Sequence, residues 1–232
     1  MKDSVTPKVM SSADKNKKRV FLVDDHPLVR EWLTNLINQQ SDLIVCGESE
    51  AAPQALQAIG QVKPDVAIVD ISLKDSSGID LIKSLKEAHP SLLILVLSMH
   101  DEMHYAERAL RAGASGYIMK RETTRKVVDA IRRLLEGKLY ISEKVAELIA
   151  GRFVTGKRSE GKSVIEMLSD RELEVFEMLG QGQGTRQIAE KLRVSVKTVQ
   201  AYCARMKEKL NLDSATELLR EAIRWNEGRY PR

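Results

Sequence analysis

"VFLVDDHPLVR" (20–30) runs four apolar residues straight into two adjacent aspartates. Val20, Phe21, Leu22 and Val23 offer apolar side chains to both faces, which predicts a buried parallel strand. Asp24 and Asp25 then place two negative charges at the end of that strand. At ~4 Å, two carboxylates repel by about 4 kcal/mol even at an effective dielectric of roughly 20. Pro27 is placed to open a helix, and apolar Leu28, Trp32, Leu36 and Ile37 follow at helical spacing. Capping that helix accounts for one carboxylate. The second calls for a cation or for more acid elsewhere in the chain.

Outward from this stretch the same alternation repeats. Strand-like runs at 20–23, 43–46, 66–69, 92–97 and 117–119 alternate with helical patterns near 27–39, 52–62, 78–88, 102–112 and 124–136. Five such units predict a doubly wound α/β fold, a five-stranded parallel sheet covered on both faces. Gly60, Pro64, Gly78, Pro90 and Gly113 fall between elements, as turns require. Ligands of such a sheet collect beyond the carboxyl ends of its strands. The first polar residues there are Asp24 and Asp25, then Asp70 after "VAIV", Ser98 after "LLILVL", and Lys120 after "GYIM". Three converging carboxylates raise one another's pKa unless a hard cation offsets them, and oxygen ligands in this number suit Mg²⁺.

A chain of 232 residues has room for two domains, and 43% hydrophobic with 30% charged residues is ordinary for a soluble protein. Cys46 and Cys203 give neither metal-ligand spacing nor a disulfide framework, which fits a reducing compartment. With no apolar run near 18 residues and no signal-peptide core, a cytoplasmic protein is expected. The net charge of +4 is uneven: residues 151–232 hold 16 Lys/Arg against 12 Asp/Glu, and residues 1–150 balance. That asymmetry points to a polyanionic partner for the C-terminal third. The expected organisation is a flexible tail at 1–17, an α/β domain at 18–138, a linker at 139–165 with room for a short helix, and a helical domain at 166–232. Within the linker, "AGRFVTGKRSEGKSV" (150–164) carries three glycines and no apolar periodicity.

The helical domain reads as four helices, the first opened by a capping box at "SDRE" (169–172) and closed by "GQGQG" (180–184). "TRQIAEKLRVSVKTVQAYCARMKEKL" (185–210) reads as helix, short turn, helix, with Ser195 capping the second. Lys197, Arg205, Lys207 and Lys209 against Glu208 give that helix a net charge of +3. Such a helix can enter a major groove by its N-terminal half. On residues alone, an ordinary bundle with a basic outer face explains the pattern as well.

Residues 18–138 resemble the receiver domain of two-component response regulators, through Asp24–Asp25, Asp70, Gly78, Ser98, Lys120 and "GASGYIMK" (113–120). The resemblance implies a flavodoxin-like strand order and a phosphoryl group passed from a sensor histidine kinase to Asp70. It assigns Mg²⁺ to Asp25, to Asp24 through water, to Asp70 and to the backbone carbonyl of Ser72. Lys120 would pair with the new phosphate, and Ser98 and Tyr117 would sense it by moving inward. Two departures stand out: "ISLKDSSG" (71–78) lacks the proline many relatives have, and Arg121 follows Lys120 where proline is common.

Residues 166–225 are similar to the LuxR/FixJ (NarL) type of helix-turn-helix, through "RE" (171–172), "IA" (188–189) and S-x-x-T-V (195–199). This implies double-stranded DNA as partner. Lys197, Gln200, Ala201 and Ala204 would face base edges, Arg205 and Lys209 would hold backbone phosphates, and Thr198 is a further DNA-binding residue. Tyr202 stands where histidine is frequent, and Ala204 where a longer polar residue can stand. The expectation is a phosphorylation-controlled, homodimeric DNA-binding regulator with no catalysis beyond its own phosphorylation and dephosphorylation. One rival is an aspartate-nucleophile phosphatase resembling the haloacid dehalogenases, which needs an acid where Ser72 stands. The other is an adaptor whose helical domain only associates with protein, though a dimer seam should be apolar where Lys197, Arg205 and Lys209 are not.

Overall fold

The computed structural model describes residues 16–73, 76–122, 124–155 and 167–227. Residues 1–15 of the expected tail and 156–165 of the expected linker lie outside the described residues. The chain divides into two compact units, Met1–Gly156 and Lys157–Arg232.

In the first unit β1 (Lys18–Val23), α1 (Pro27–Asn38), β2 (Leu43–Ser49), α2 (Ala52–Val62) and β3 (Val66–Val69) are followed by a short hairpin, β4 (Ser72–Leu73) with β5 (Ser76–Ser77). Then come α3 (Gly78–Ala88), β6 (Leu93–Ser98), α4 (Glu102–Arg111), β7 (Gly116–Met119), α5 (Thr124–Leu135) and α6 (Glu143–Thr155). Five strands pair in the order β2-β1-β3-β6-β7, and every pair is parallel. One face packs Val20, Leu22, Val66, Ile68, Leu95 and Leu97 against α1 and α5. The intervening residues Phe21, Val23, Ala67, Val69, Ile94 and Val96 are buried too, on the side of α2, α3 and α4. Both faces of each central strand are therefore dry, which is why the run at Val20–Val23 has no polar alternation.

Three local readings need correction. β2 continues to Ser49 instead of stopping at 46, because Gly47 lets the Phe21 ring lie against its backbone. A Cβ there would stand 2.6 Å from Phe21 Cε2, and the β1–β2 register shifts by one residue at this point. The β4–β5 hairpin follows Asp70 where the sequence reads as loop; two-residue strands carry no periodicity. The helix near 139–150 starts later and runs on through Gly151 to Thr155, with Val145 buried and its helix packed against α4. Gly151 lies in open space, so the glycine costs only the ~1 kcal/mol of its lower helix propensity. Ahead of α6, Tyr140 joins the edge of β7: Tyr117 N–H donates to Tyr140 O at 2.8 Å, and Tyr140 N–H to Ser115 O at 3.1 Å.

In the second unit the described residues form α7 (Asp170–Gly180), α8 (Thr185–Lys191), α9 (Val196–Leu210) and α10 (Ala215–Asn226). The capping box is present: Ser169 N–H donates to Glu172 Oε2 at 2.8 Å, and Glu172 N–H reaches Ser169 Oγ at 3.4 Å. Leu173, Phe176, Ile188, Val199, Met206, Leu218 and Ala222 form the core, with the Phe176 and Trp225 rings 5.9 Å apart. Arg193, at φ +53°, turns the chain between α8 and α9 in the left-handed region, and Ser195 Oγ caps α9 by accepting from Thr198 N–H at 3.0 Å.

Candidate functional site

The carboxyl edge of the sheet brings together the residues expected there. Asp24, Asp25 and Asp70 are buried, at 3%, 8% and 3% exposure. Lys120 Nζ stands 2.6 Å from Asp70 Oδ2 and 2.7 Å from Asp24 Oδ2. One ammonium therefore bridges two of the three carboxylates, which in part answers how the adjacent aspartates are tolerated. Burial pushes the Asp70 carboxyl up to about 6; Lys120 opposes that rise and Asp24 adds to it. Burial also acts against the Lys120 charge, but Asp70 and Asp24 outweigh it and hold its pKa above the ordinary value. Asp24, Asp25, His26 and Asp70 place donor atoms within 4.8 Å of one another. Three acids against one ammonium leave net negative charge in a buried cleft, and this donor set fits a hard divalent cation.

The rest of the edge is tied through His100, which the sequence reading passed over. Ser98 is fully buried, and its Oγ accepts from His100 N–H at 3.2 Å. The Tyr117 hydroxyl donates to His100 O at 3.0 Å, and Ser72 Oγ lies 2.8 Å from His100 Nε2. Tyr117 is already inside, at 2% exposure. Ser72 sits in β4, with its N–H 3.4 Å from Asp70 Oδ1. The peptide bond between Lys120 and Arg121 is trans. His26 was also missed, and its imidazole leans over the acids instead of capping α1. Neither histidine belongs to a periodic pattern. His26 has its partners Asp25 and Asp24 one and two residues away, whereas His100 is recognisable only once Ser72, 28 residues earlier, is placed beside it.

In the second unit, α9 buries Val199 and Met206 and turns Lys197, Gln200, Ala201, Ala204, Arg205 and Lys209 outward. Thr198 Oγ1 is held 2.8 Å from the capping Ser195 Oγ, and the Arg205 guanidinium lies over the Tyr202 ring at 5.2 Å. Lys209 differs from its neighbours. Its Nζ is 2.6 Å from Glu172 Oε2, a carboxylate whose side chain is only 2% exposed. Burial pushes that carboxyl up, but Lys209 and the Ser169 N–H and hydroxyl together hold it below its ordinary value of 4.5. The phosphate-holding role expected of Lys209 thus competes with a structural one.

Lys209→Ala is expected to cost the helical unit about 1–3 kcal/mol, since it strands a buried carboxylate whose partner is itself part-exposed. Because the Glu172 pKa is depressed in the fold, its contribution is present above pH 4.5 and lost as pH falls through the folded value. Urea titrations of the two chains should therefore differ at pH 7 and converge in acid. Identical midpoints at pH 7 would remove the pair from the account.

Comparison with known proteins places both units. The family model "Response regulator receiver domain" matches residues 20–132, and "Bacterial regulatory proteins, luxR family" matches residues 166–222. The oxygen regulatory protein NreC of Staphylococcus carnosus is 35% identical over 210 residues, covering 89% of this chain and 97% of that protein. RcsB from Salmonella enterica serovar Typhimurium, solved on promoter rprA with the phosphomimetic BeF3⁻, superposes with a TM-score of 0.57 at 27% identity, covering 88% of this chain and 98% of that one. A structure of two RcsB dimers bound to two parallel DNAs has a TM-score of 0.54 at 28% identity, covering 88% and 97%. Among the described residues, no helix is long and apolar enough to cross a membrane.

Proposed function

Because the chain belongs to the response regulators that carry a LuxR-family DNA-binding domain, we propose that phosphorylation of Asp70 controls its binding to a promoter. It is a DNA-binding regulator of transcription rather than an enzyme. In this reading the receiver occupies 18–138, a linker 139–165, and the DNA-binding domain 166–232. The protein works in the cytoplasm, where a sensor histidine kinase and the chromosome both reach it.

The observation that carries this reading is the buried group of Asp24, Asp25, Asp70 and Lys120 at the carboxyl edge of the sheet. An oxygen of Asp70 attacks the phosphorus of a phosphohistidine, the P–N bond breaks, and the imidazole departs. Asp25, Asp70 and the Ser72 carbonyl, with Asp24 through water, would hold Mg²⁺, whose charge offsets that of the transferring oxygens. Lys120, already on Asp70 Oδ2, is placed to pair with the phosphate that forms there. Ser98 then turns its hydroxyl to the phosphate, releasing the His100 N–H it now accepts from. His100 joins Ser98, Tyr117 and Ser72, so that release reaches the start of α4. Asp70 exchanges a single carboxylate charge for a phosphate of about −2, and that change must act through such contacts to reach the second unit.

Lys197, Gln200, Ala201 and Ala204 face the base edges, Thr198 lies beside them with its hydroxyl on the capping Ser195, and Arg205 holds a backbone phosphate; Lys209 serves first as the counter-ion of Glu172. The DNA-bound RcsB dimers support action as a homodimer. The test is a selection from random DNA followed by affinity measurements across salt. Gln200→Ala should flatten the preference at one base position, worth ~1–3 kcal/mol, and leave the salt slope intact. Arg205→Ala should weaken all sequences alike and lower the slope by about one unit. If Arg205→Ala altered the selected sequence and Gln200→Ala did not, α9 would sit in another register.

A further inference from the structure

His26 occupies the N-cap of α1, yet its side chain makes no capping bond. It folds back over the end of β1, where Nδ1 lies 2.9 Å from Asp25 Oδ1, 3.0 Å from Asp24 Oδ1 and 4.0 Å from Asp70 Oδ2. Lys120 takes the other oxygen of Asp24, so the ammonium and the imidazole approach that acid from different sides. Two ligands at a right angle on an ion with bonds of ~2.1 Å are separated by roughly 3 Å. The Nδ1 atom stands at that separation from Asp25 Oδ1, the acid expected to bind the ion directly, and shares a hydrogen bond with Asp24 Oδ1, the acid expected to act through water. The His26 backbone N–H donates to Asp24 Oδ1 at 2.8 Å, which fixes the residue's backbone beside the acids. At 54% exposure the imidazole can follow an entering ion without disturbing the core.

We propose that His26 Nδ1 is a direct ligand of the divalent ion held by Asp24, Asp25 and Asp70, and that it biases the site towards Mn²⁺ over Mg²⁺. The inference rests on the reading that these acids hold a divalent cation at all. Carboxylate and carbonyl oxygens suit Mg²⁺ and Mn²⁺ alike, so an all-oxygen set discriminates little between them. Mg²⁺ favours oxygen and keeps its waters, whereas imidazole nitrogen suits the first-row transition ions. One nitrogen in the ligand set therefore separates the two ions. The nitrogen enters as a lone-pair donor, with any proton on Nδ1 leaving to solvent and Nε2 keeping its own.

The test is Mn²⁺ titration of the full chain, read by electron paramagnetic resonance, with spin-echo modulation to detect nitrogen bound to the ion. In the parent chain the bound Mn²⁺ should show imidazole ¹⁴N coupling. His26→Gln should still bind Mn²⁺ through its acids, lose that coupling, and bind about 10-fold more weakly, with Mg²⁺ affinity, read by competition, changing far less. His100→Gln should keep the coupling. Parent-bound Mn²⁺ without ¹⁴N coupling, coupling that survives His26→Gln, or coupling lost in His100→Gln would each overturn the proposal. Failure of the acid site is a separate result: Mn²⁺ would fail to bind the parent, or bind Asp25→Ala as tightly as the parent.

Discussion

The Asp70→Asn chain, given a small phosphodonor and Mg²⁺, is expected to incorporate no phosphoryl group and at the same time to be the more stable protein. Loss of labelling follows from chemistry: an amide is no nucleophile towards phosphorus, and the neighbouring acids are already engaged. Asp24 Oδ1 accepts from His26 N–H at 2.8 Å and Asp24 Oδ2 meets Lys120 at 2.7 Å. The stability gain follows from burial. The Asp70 carboxyl, 3% exposed, is raised to about 6 from 3.8, so ionising it at neutral pH works against the fold. A pKa raised in the folded state favours folding fully below the unfolded value, and that advantage is lost as pH rises through about 6. Asparagine mimics the protonated acid at every pH. In metal-free buffer the variant should gain about 1–3 kcal/mol at pH 7.5, a figure in which the pull of Lys120 is already counted, and nothing below about pH 4. Undiminished, acid-stable label in the variant would remove Asp70 from its role.

Gly78→Ala should be the most damaging single methyl in the first unit. A Cβ there would stand 2.0 Å from the Asp70 carbonyl oxygen and 2.8 Å from both Asp70 C and Ile71 Cα, all backbone atoms. No flexible side chain can yield. The Gly78 N–H also donates to Ile71 O at 2.7 Å, pinning the start of α3 against the segment after Asp70. Either α3 or that segment must retreat by about 1 Å or more to reach ordinary contact distance. Overpacking of this kind costs about 3 kcal/mol. A displacement of that size at the reacting carboxylate lowers phosphorylation at least ~100-fold even in the chains that remain folded. Urea denaturation and the rate of labelling at matched folded fraction check both halves. Parent-like values for both would mean that the acceptor segment is not held as described.

Much of this was legible because buried parallel strands announce themselves and their ends. Runs such as Val20–Val23 and Val66–Val69 have no polar residue until the sheet edge, so the first polar residue after each run lands in the site. Asp24, Asp25, Asp70, Ser98 and Lys120 were all found this way. His26 and His100 were not, because each acts by a side-chain direction that no spacing encodes. The bond from Ser72 to His100 and the ion pair from Lys209 to Glu172 join residues 28 and 37 positions apart. The β4–β5 hairpin is too short for a pattern. The end of α6 was obscured by Gly151, which composition reads as linker and an exposed helix tolerates. Gly47 carried the opposite lesson: a glycine inside β2 marks a close approach by Phe21, not an end.

The central claim is that phosphate on Asp70 sets the affinity of the second unit for DNA. It is tested most directly by titrating one selected DNA duplex with the full chain, at fixed salt, before and after phosphorylation of known stoichiometry. The account predicts an affinity change of about 10-fold or more, a coupling of roughly 1.4 kcal/mol, with no change in the Asp70→Asn chain given the same phosphodonor. Equal affinity of the fully phosphorylated and unphosphorylated chains, or an equal shift in Asp70→Asn, would contradict it.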